Sequence, residues 1–190
     1  MKKSRRLTRA FYARPVLEVA RDLLGRTLCR RRPGGTALRG RIVEVEAYDG
    51  PQDLACHASR GRTKRTSPMF ERGGIAYVYL VYGMHHCFNV VTGDADYPAA
   101  VLIRATEPPG DGLRASGPGR LTGAFEIDRS LDGTTLLGDE LWIEAGVPVP
   151  SDAVRRTPRI GVDYAGEWAD RPYRFLIAGH PEVSGPRTLR

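Results

Sequence analysis

The segment EVEAY, Glu44 to Tyr48, holds two carboxylates two residues apart. On a strand, residues at i and i+2 face the same way. Two carboxylates so placed repel each other. If their face is buried, at least one needs a raised pKa or a positive partner. A carboxylate in that setting can act as a general base near neutral pH. On spacing alone, a solvated strand face with arginine partners is the simpler reading of the pair.

A second candidate is YVYLVYGMHHCFN, Tyr77 to Asn89. Tyr77 and Tyr79 share a strand face, and the run reads as a tight hairpin with Tyr82 and Met84 at its tip. Exposed tyrosines on a sheet either stack nucleic-acid bases or pack a core. Packing explains Tyr77 and Tyr79 well enough. It explains the tip poorly, because Tyr82-Gly83-Met84 would be solvated. Apolar wedges in basic proteins are what duplex-kinking proteins insert between base steps.

Two further patterns are weaker. Cys29, Cys56-His57 and His85-His86-Cys87 lack the close spacing of a zinc site, so the cysteines read as small buried hydrophobes and no metal is expected. GPGR, Gly117 to Arg120, opens a predicted short helix. Such a segment can present N–H groups to a phosphate or be an ordinary turn, and the turn is the simpler reading. No Walker-type phosphate loop occurs.

These residues need elements to hold them. PVLEVARDLLG, Pro15 to Gly25, predicts a helix with Val16, Leu17, Ala20, Leu23 and Leu24 on one face. TLCRR predicts a strand, RPGG a turn, and TALRGRIVEVEAY a long strand. On that long strand Ile42, Glu44, Glu46 and Tyr48 would face one way, and Val43, Val45 and Ala47 the other. Residues 49–74 read as a long basic loop with room for one short helix, and loops of that length are usually functional or disordered. PAAVLIRATEP, ELWIEAG and YRFLIAG predict strands, and TPRIGVDYAGEWA a connector. Short hairpins with marginal helices predict a mainly antiparallel α+β fold. Residues 1–13 read as a mobile basic arm and 14–190 as one domain.

The net charge of +7 over 190 residues favours an acidic partner. The cations are nearly all arginine, suited to bidentate phosphate contacts; Lys2, Lys3 and Lys64 are the only lysines. So few lysines weaken any mechanism built on a lysine nucleophile. Three widely spaced cysteines predict a reducing compartment. With no secretory h-region and no apolar run of spanning length, a cytoplasmic protein without membrane attachment is expected.

EVEAYDGPQDLACHASRGRT, then MF, then AYVYLVYGMHHCFNVV, then AAVLIRATEP, resembles in order the single-domain alkyladenine (3-methyladenine) DNA glycosylase family. The resemblance runs from about Leu23 to Gly179 and includes GPGRL and GVDYAGEWADRPYRF. It implies a curved antiparallel sheet flanked by helices, with a protruding β-hairpin. It implies an enzyme of base excision repair that flips alkylated or deaminated purines out of double-stranded DNA and hydrolyses the N-glycosidic bond. By position, Glu46 matches the general base that activates water, and Arg104 the arginine that holds it. Tyr48, His57 and Tyr79 match the side chains around the flipped base. Asn89 matches the residue that crowds the amino group of normal guanine. Tyr82 matches the intercalating residue, with Met84 beside it. Arg60, Arg62, Lys64, Arg65 and Arg120 are then candidates for the DNA backbone. His57 is the candidate proton donor for neutral lesions. The resemblance implies no cofactor, a monomer and, with so few lysines, no lyase activity. Cys56 and His85 depart from the family pattern and bear on lesion preference.

Two rival functions remain compatible with the residues. One is a non-enzymatic binder of distorted DNA, with Tyr82 as wedge and Glu46 structural. The other is an RNA-binding module whose tyrosines stack single-stranded bases.

Overall fold

The computed structural model describes residues 6–185. The chain forms an α+β domain built on one curled antiparallel sheet. The strands are β1 (Thr27–Arg31), β2 (Ala37–Asp49), β3 (Ala76–Val81), β4 (His85–Thr92), β5 (Ala99–Thr106), β6 (Leu141–Glu144), β7 (Val154–Thr157) and β8 (Arg174–Ile177). The main path runs β3-β4-β5-β2-β1-β6, and β8 pairs with both β2 and β7. The long β2 is the hub. Its first part pairs with β1, while Glu44 to Glu46 pair with β5 on one side and β8 on the other.

The helices are α1 (Arg9–Tyr12), α2 (Val16–Leu23) and α3 (Pro118–Ala124). Helix α2 follows Pro15 and stops before Gly25, whose positive φ of 81° suits glycine. Its buried face is Val16, Val19, Ala20 and Leu23, with Leu17 only at the margin of the core, one step round from the expected stripe. Residues 1–5 of the expected basic arm lie outside the described residues. Residues 6–13 are packed on the sheet: Arg6 bridges to Glu144, the Leu7 N–H donates to the Ile143 carbonyl at 2.9 Å, and Tyr12 is fully buried. The apolar residues Leu7, Phe11 and Tyr12 pack on the core, and the half-buried Arg9 donates to the Gly73 carbonyl at 2.9 Å.

The sheet has two buried faces. Val43, Val45, Ala47, Val78, Phe88, Val90, Val101 and Ile103 enter the main core with α2 and α3. The other face of the same strands carries Tyr77, Val91 and Ala100, packed with Cys56, Ala58 and Met69 from the 49–74 loop. That loop contains two short 3-10 turns, His57–Arg60 and Ser67–Phe70, instead of one helix. Ile42 departs from the expected alternation. The β2–β5 register shifts on both sides of Glu44, and Ile42 joins Val43 in the main core. Such an irregularity swaps the facing of a strand partway along its length. It leaves Glu44, Glu46 and Tyr48 on the second face and brings Arg104, from β5, opposite them. An unforeseen strand, β7, lies just ahead of the expected connector and overlaps it only at Thr157. Among the described residues, no helix is long and apolar enough to cross a membrane.

Candidate active site

Glu44 and Glu46 are both fully buried, so the solvated reading of the pair does not hold. Burial of two like charges requires compensation, and arginines supply it. Arg104 bridges them, donating Nε to Glu44 at 2.9 Å and Nη1 to Glu46 at 3.2 Å. Arg174, itself fully buried, donates Nε to Glu44 at 2.7 Å. Burial works against the charge on Arg104, but the charges of Glu46 and Glu44 outweigh it and hold its pKa above the ordinary arginine value.

The two carboxylates differ in where their hydrogen-bond partners lie. Glu44 accepts four bonds: from Arg104, Arg174, the Ser184 hydroxyl at 2.9 Å and the Ser184 N–H at 2.6 Å. Three of these fall on Oε1 and only the Ser184 N–H on Oε2, and of the donors Arg104 alone lines the cavity described below. Glu46 accepts three: from Arg104, from the Tyr48 hydroxyl at 3.0 Å and from the Ile160 N–H at 2.8 Å. Of a carboxylate's roughly four lone-pair sites, one remains on Glu46. Arg174, Ser184 and the Ile160 N–H escaped the sequence reading, because their distance along the chain gives no local signal.

All of the Glu46 partners line one cavity of 490 Å³. This volume falls within the usual range of small-molecule sites. The wall brings together the predicted residues Tyr48, His57, Tyr79, Tyr82, Asn89 and Arg104, and adds Arg65, Tyr77 and Tyr164. Glu46 lies directly behind Tyr48 and Arg104, out of contact with the open space. On one wall the His57 and Tyr79 rings meet edge-on at 4.5 Å, and Tyr77 and Tyr79 lie tilted at 5.3 Å. Asn89 is buried and donates Nδ2 to the Tyr77 carbonyl at 3.1 Å, which fixes its amide. Burial, and then the charge of Glu46, pushes the Tyr48 phenol well above its ordinary pKa. Burial also pushes Tyr77 up to about 12.

The loops that complete the cavity are clamped together behind Tyr48. Arg159 forks onto Asp53, with Nη2 to Oδ1 at 2.8 Å, and also donates to the Ala47 carbonyl at 2.9 Å. The Arg159 guanidinium sits 4.8 Å over the Tyr48 ring. A bidentate fork of this kind fixes geometry as well as charge. It holds Ile160, the next residue, at Glu46.

His57 sets its Nδ1 3.1 Å from the Tyr77 hydroxyl. The protein packed around it, and then the positive Arg65, push its pKa down to about 4, although its outer edge is open to the cleft. It is therefore neutral near pH 7, with one ring N–H. Cys56 is buried behind it, with Sγ directed at the Pro98 carbonyl. Among the described residues, no three His, Cys, Asp or Glu side chains gather as metal ligands would.

At the hairpin tip, Tyr82 is 89% and Met84 71% exposed. The Met84 N–H closes the turn on the Val81 carbonyl at 3.1 Å, and both central residues have positive φ, 52° at Tyr82 and 69° at Gly83. Positive φ suits Gly83 but strains a tyrosine by roughly 1–2 kcal/mol. The GPGR segment braces this hairpin. Gly119 packs so closely on His85 that a Cβ there would lie 3.0 Å from the imidazole ring, and Pro118 lines the cavity. The Gly117 N–H donates to the Arg104 carbonyl at 3.0 Å, which docks the start of α3 on β5, with Gly117 as the N-cap and Pro118 to Arg120 in the first turn. Of the basic candidates, Arg60, Lys64 and Arg120 are exposed, Arg62 pairs with Asp96 at 2.8 Å, and Arg65 turns toward the cavity.

A carboxylate with one free site, an arginine partner and an aromatic-walled cavity beside it can activate water against a planar substrate. A family model described as Methylpurine-DNA glycosylase matches residues 10–181. The chain is 53% identical over 184 residues to a Myxococcus xanthus protein, covering 95% of this chain and 94% of that one. It is 52% identical over 194 residues to one from Methanocella arvoryzae, covering 94% and 95%. It is 47% identical over 195 residues to one from Streptomyces avermitilis, covering 94% and 90%. All three carry the name "Putative 3-methyladenine DNA glycosylase". By the length and strength of these matches, the chain belongs to the methylpurine-DNA glycosylase family.

Proposed function

We propose that this glycosylase flips damaged purines of the 3-methyladenine class out of double-stranded DNA and hydrolyses the N-glycosidic bond with a water activated by Glu46. The observation that carries the reading is that all the hydrogen-bond partners of Glu46 line one cavity, whereas Arg174 and Ser184, the other partners of Glu44, do not. Glu44 is held by Arg174 and Ser184, which do not line the cavity, and serves as the anchor of Arg104. Glu46 keeps one site and borders the cavity through Tyr48 and Arg104. The Tyr48 hydroxyl covers Glu46 in the free protein, so entry of the substrate and water requires that hydroxyl to shift. The flipped base is held by Tyr48, His57 and Tyr79, and the fixed amide of Asn89 crowds the amino group of undamaged guanine.

The exposed hairpin tip fits the same reaction. A strained, solvated tyrosine has no packing role in the free protein; inserted into the duplex, Tyr82 fills the gap left by the base, with Met84 beside it. Unstacking costs a few kcal/mol, least at a damaged pair, so part of the selectivity arises before the base reaches the pocket. Arg60, Arg62, Lys64 and Arg120 hold the backbone. The reaction uses water and no Schiff base, and the protein works as a monomer, without a cofactor, in a reducing compartment. Three free, buried cysteines accord with that last point.

A base-release assay on duplexes carrying 7-methylguanine, ethenoadenine or hypoxanthine tests the reading. Free base should appear with an intact abasic strand, and borohydride should trap no covalent adduct. Tight binding to lesion duplex without release of any base would favour a non-enzymatic binder. Tighter binding to single strands, with Tyr82→Ala tolerated, would favour an RNA-binding module.

A further inference from the structure

Arg159 is buried, yet it does not line the cavity. Its guanidinium is a meeting point of three segments. It donates to the Ala47 carbonyl on β2, to both oxygens of Asp53 in the 49–74 loop, and to the Trp168 carbonyl ahead of β8 at 3.1 Å. Asp53 in turn accepts the Asp49 N–H at 3.0 Å and the Ala55 N–H at 3.1 Å. The residues on both sides of Tyr48 are thus tied to one buried ion pair, and the guanidinium covers the Tyr48 ring itself.

Two of the three donors to Glu46 sit at the ends of this arrangement. The Tyr48 hydroxyl reaches Oε2 at 3.0 Å, and the N–H of Ile160, one residue along from Arg159, reaches Oε1 at 2.8 Å. The third donor, Arg104, also falls on Oε2. Among the described donors, the Ile160 N–H is therefore the one that pins Oε1. Neighbouring Cα atoms are about 3.8 Å apart, so a shift of Arg159 passes to that N–H almost undiminished. With Oε1 released, the carboxylate can turn about its Oε2 contacts.

We infer that Arg159 is a positioning residue for the hydrolysis: forked onto Asp53, it holds Tyr48 and the Ile160 N–H so that Glu46 keeps one orientation toward the cavity. The inference rests on the reading of Glu46 as the base. An ion pair that only kept the loops folded would show its loss in stability and in DNA binding. An ion pair that aims Glu46 shows its loss in the chemical step. Misplacing a reacting group by about 1 Å can cost roughly a hundredfold in rate. A guanidinium fork fixes orientation in a way that a point charge does not.

The test separates rate from binding in two variants. Arg159→Lys keeps a charge opposite Asp53 and loses the fork. Arg159→Met combined with Asp53→Asn removes both charges together, so that neither is left buried alone. Val19→Ala, in the buried face of α2 and away from the cavity, is the control for lost stability. Urea midpoint, affinity for a duplex carrying 7-methylguanine, and single-turnover release at saturating protein are measured for each. Both Arg159 variants should bind within about threefold of wild type and release base at least about fivefold more slowly, while Val19→Ala loses stability but no rate. A smaller slowing in either Arg159 variant would overturn the inference, because neither keeps the fork. So would a loss of affinity as large as the loss of rate, or an equal loss of rate in Val19→Ala, since either marks a merely structural role. A wild type that needs Glu46 but not Arg159 would overturn this inference alone. Release by Glu46→Gln at the wild-type rate would overturn the reading of the base as well.

Discussion

Replacing Glu46 by Gln probes the reaction most directly. The substitution keeps the shape of the side chain and removes its charge. The Ile160 N–H can still donate to the amide oxygen, but the new NH2 group then faces the donors on Arg104 and Tyr48. Breaking a buried ion pair typically costs about 3–5 kcal/mol. Here Arg104 keeps its bond to Glu44, so a loss of about 2–3 kcal/mol is expected. That is within the stability of an ordinary domain, about 5–15 kcal/mol, so the variant should fold. Loss of a general base lowers rate by about a hundredfold to ten-thousandfold, or roughly 3–5 kcal/mol of barrier. The assay is single-turnover release of 7-methylguanine at saturating protein, with binding to the same duplex measured separately. Expected are near-wild-type binding and a rate down by about three powers of ten. A folded, binding-competent Glu46→Gln protein that releases base within tenfold of wild type would refute the assignment of the base.

Glu44→Gln should damage the fold more than Glu46→Gln does, because it strips the fully buried Arg174 of its counter-charge; a loss of about 3–5 kcal/mol, read from urea unfolding, is expected, and equal stability of the two variants would contradict it. Tyr82→Asn should stabilise the free protein by about 0.5–1 kcal/mol, since asparagine tolerates positive φ, while slowing base release at least tenfold. A variant unchanged in thermal midpoint and in rate would sink both halves of that argument. His57 has a folded pKa near 4 against 6.5 ordinarily, so between these values the unfolded chain binds the extra proton. Its contribution to stability therefore falls as pH drops from about 6.5 toward 4, and His57→Asn should flatten that part of the urea-midpoint profile. Parallel wild-type and variant profiles would show that His57 titrates normally.

Local pattern was enough to find most of the parts. Alternation along β2 marked Glu44, Glu46 and Tyr48 as facing one side, the Tyr-Gly-Met tip marked the turn, and the resemblance alone singled out Asn89 and Arg104. The motif order pointed to the family, which the comparisons bear out. Short-range signals such as period, turn residues and charge survive in a linear chain because they depend on neighbours two to four positions away. Other features depended on contacts between distant segments. Ser184 and Arg174 hold Glu44 from the far end of the chain, while the partners of Glu46 line the cavity, and this separates the two carboxylates. The register shift beside Glu44 moves Ile42 into the main core. The 49–74 loop folds back to set the exposed Arg65 over the Tyr79 ring, where the resemblance suggested the DNA backbone. Periodicity told which residues face together, but hydrogen-bond capacity and net charge inside a cavity are sums over every segment that reaches it. Those sums exist only once the chain has closed on itself.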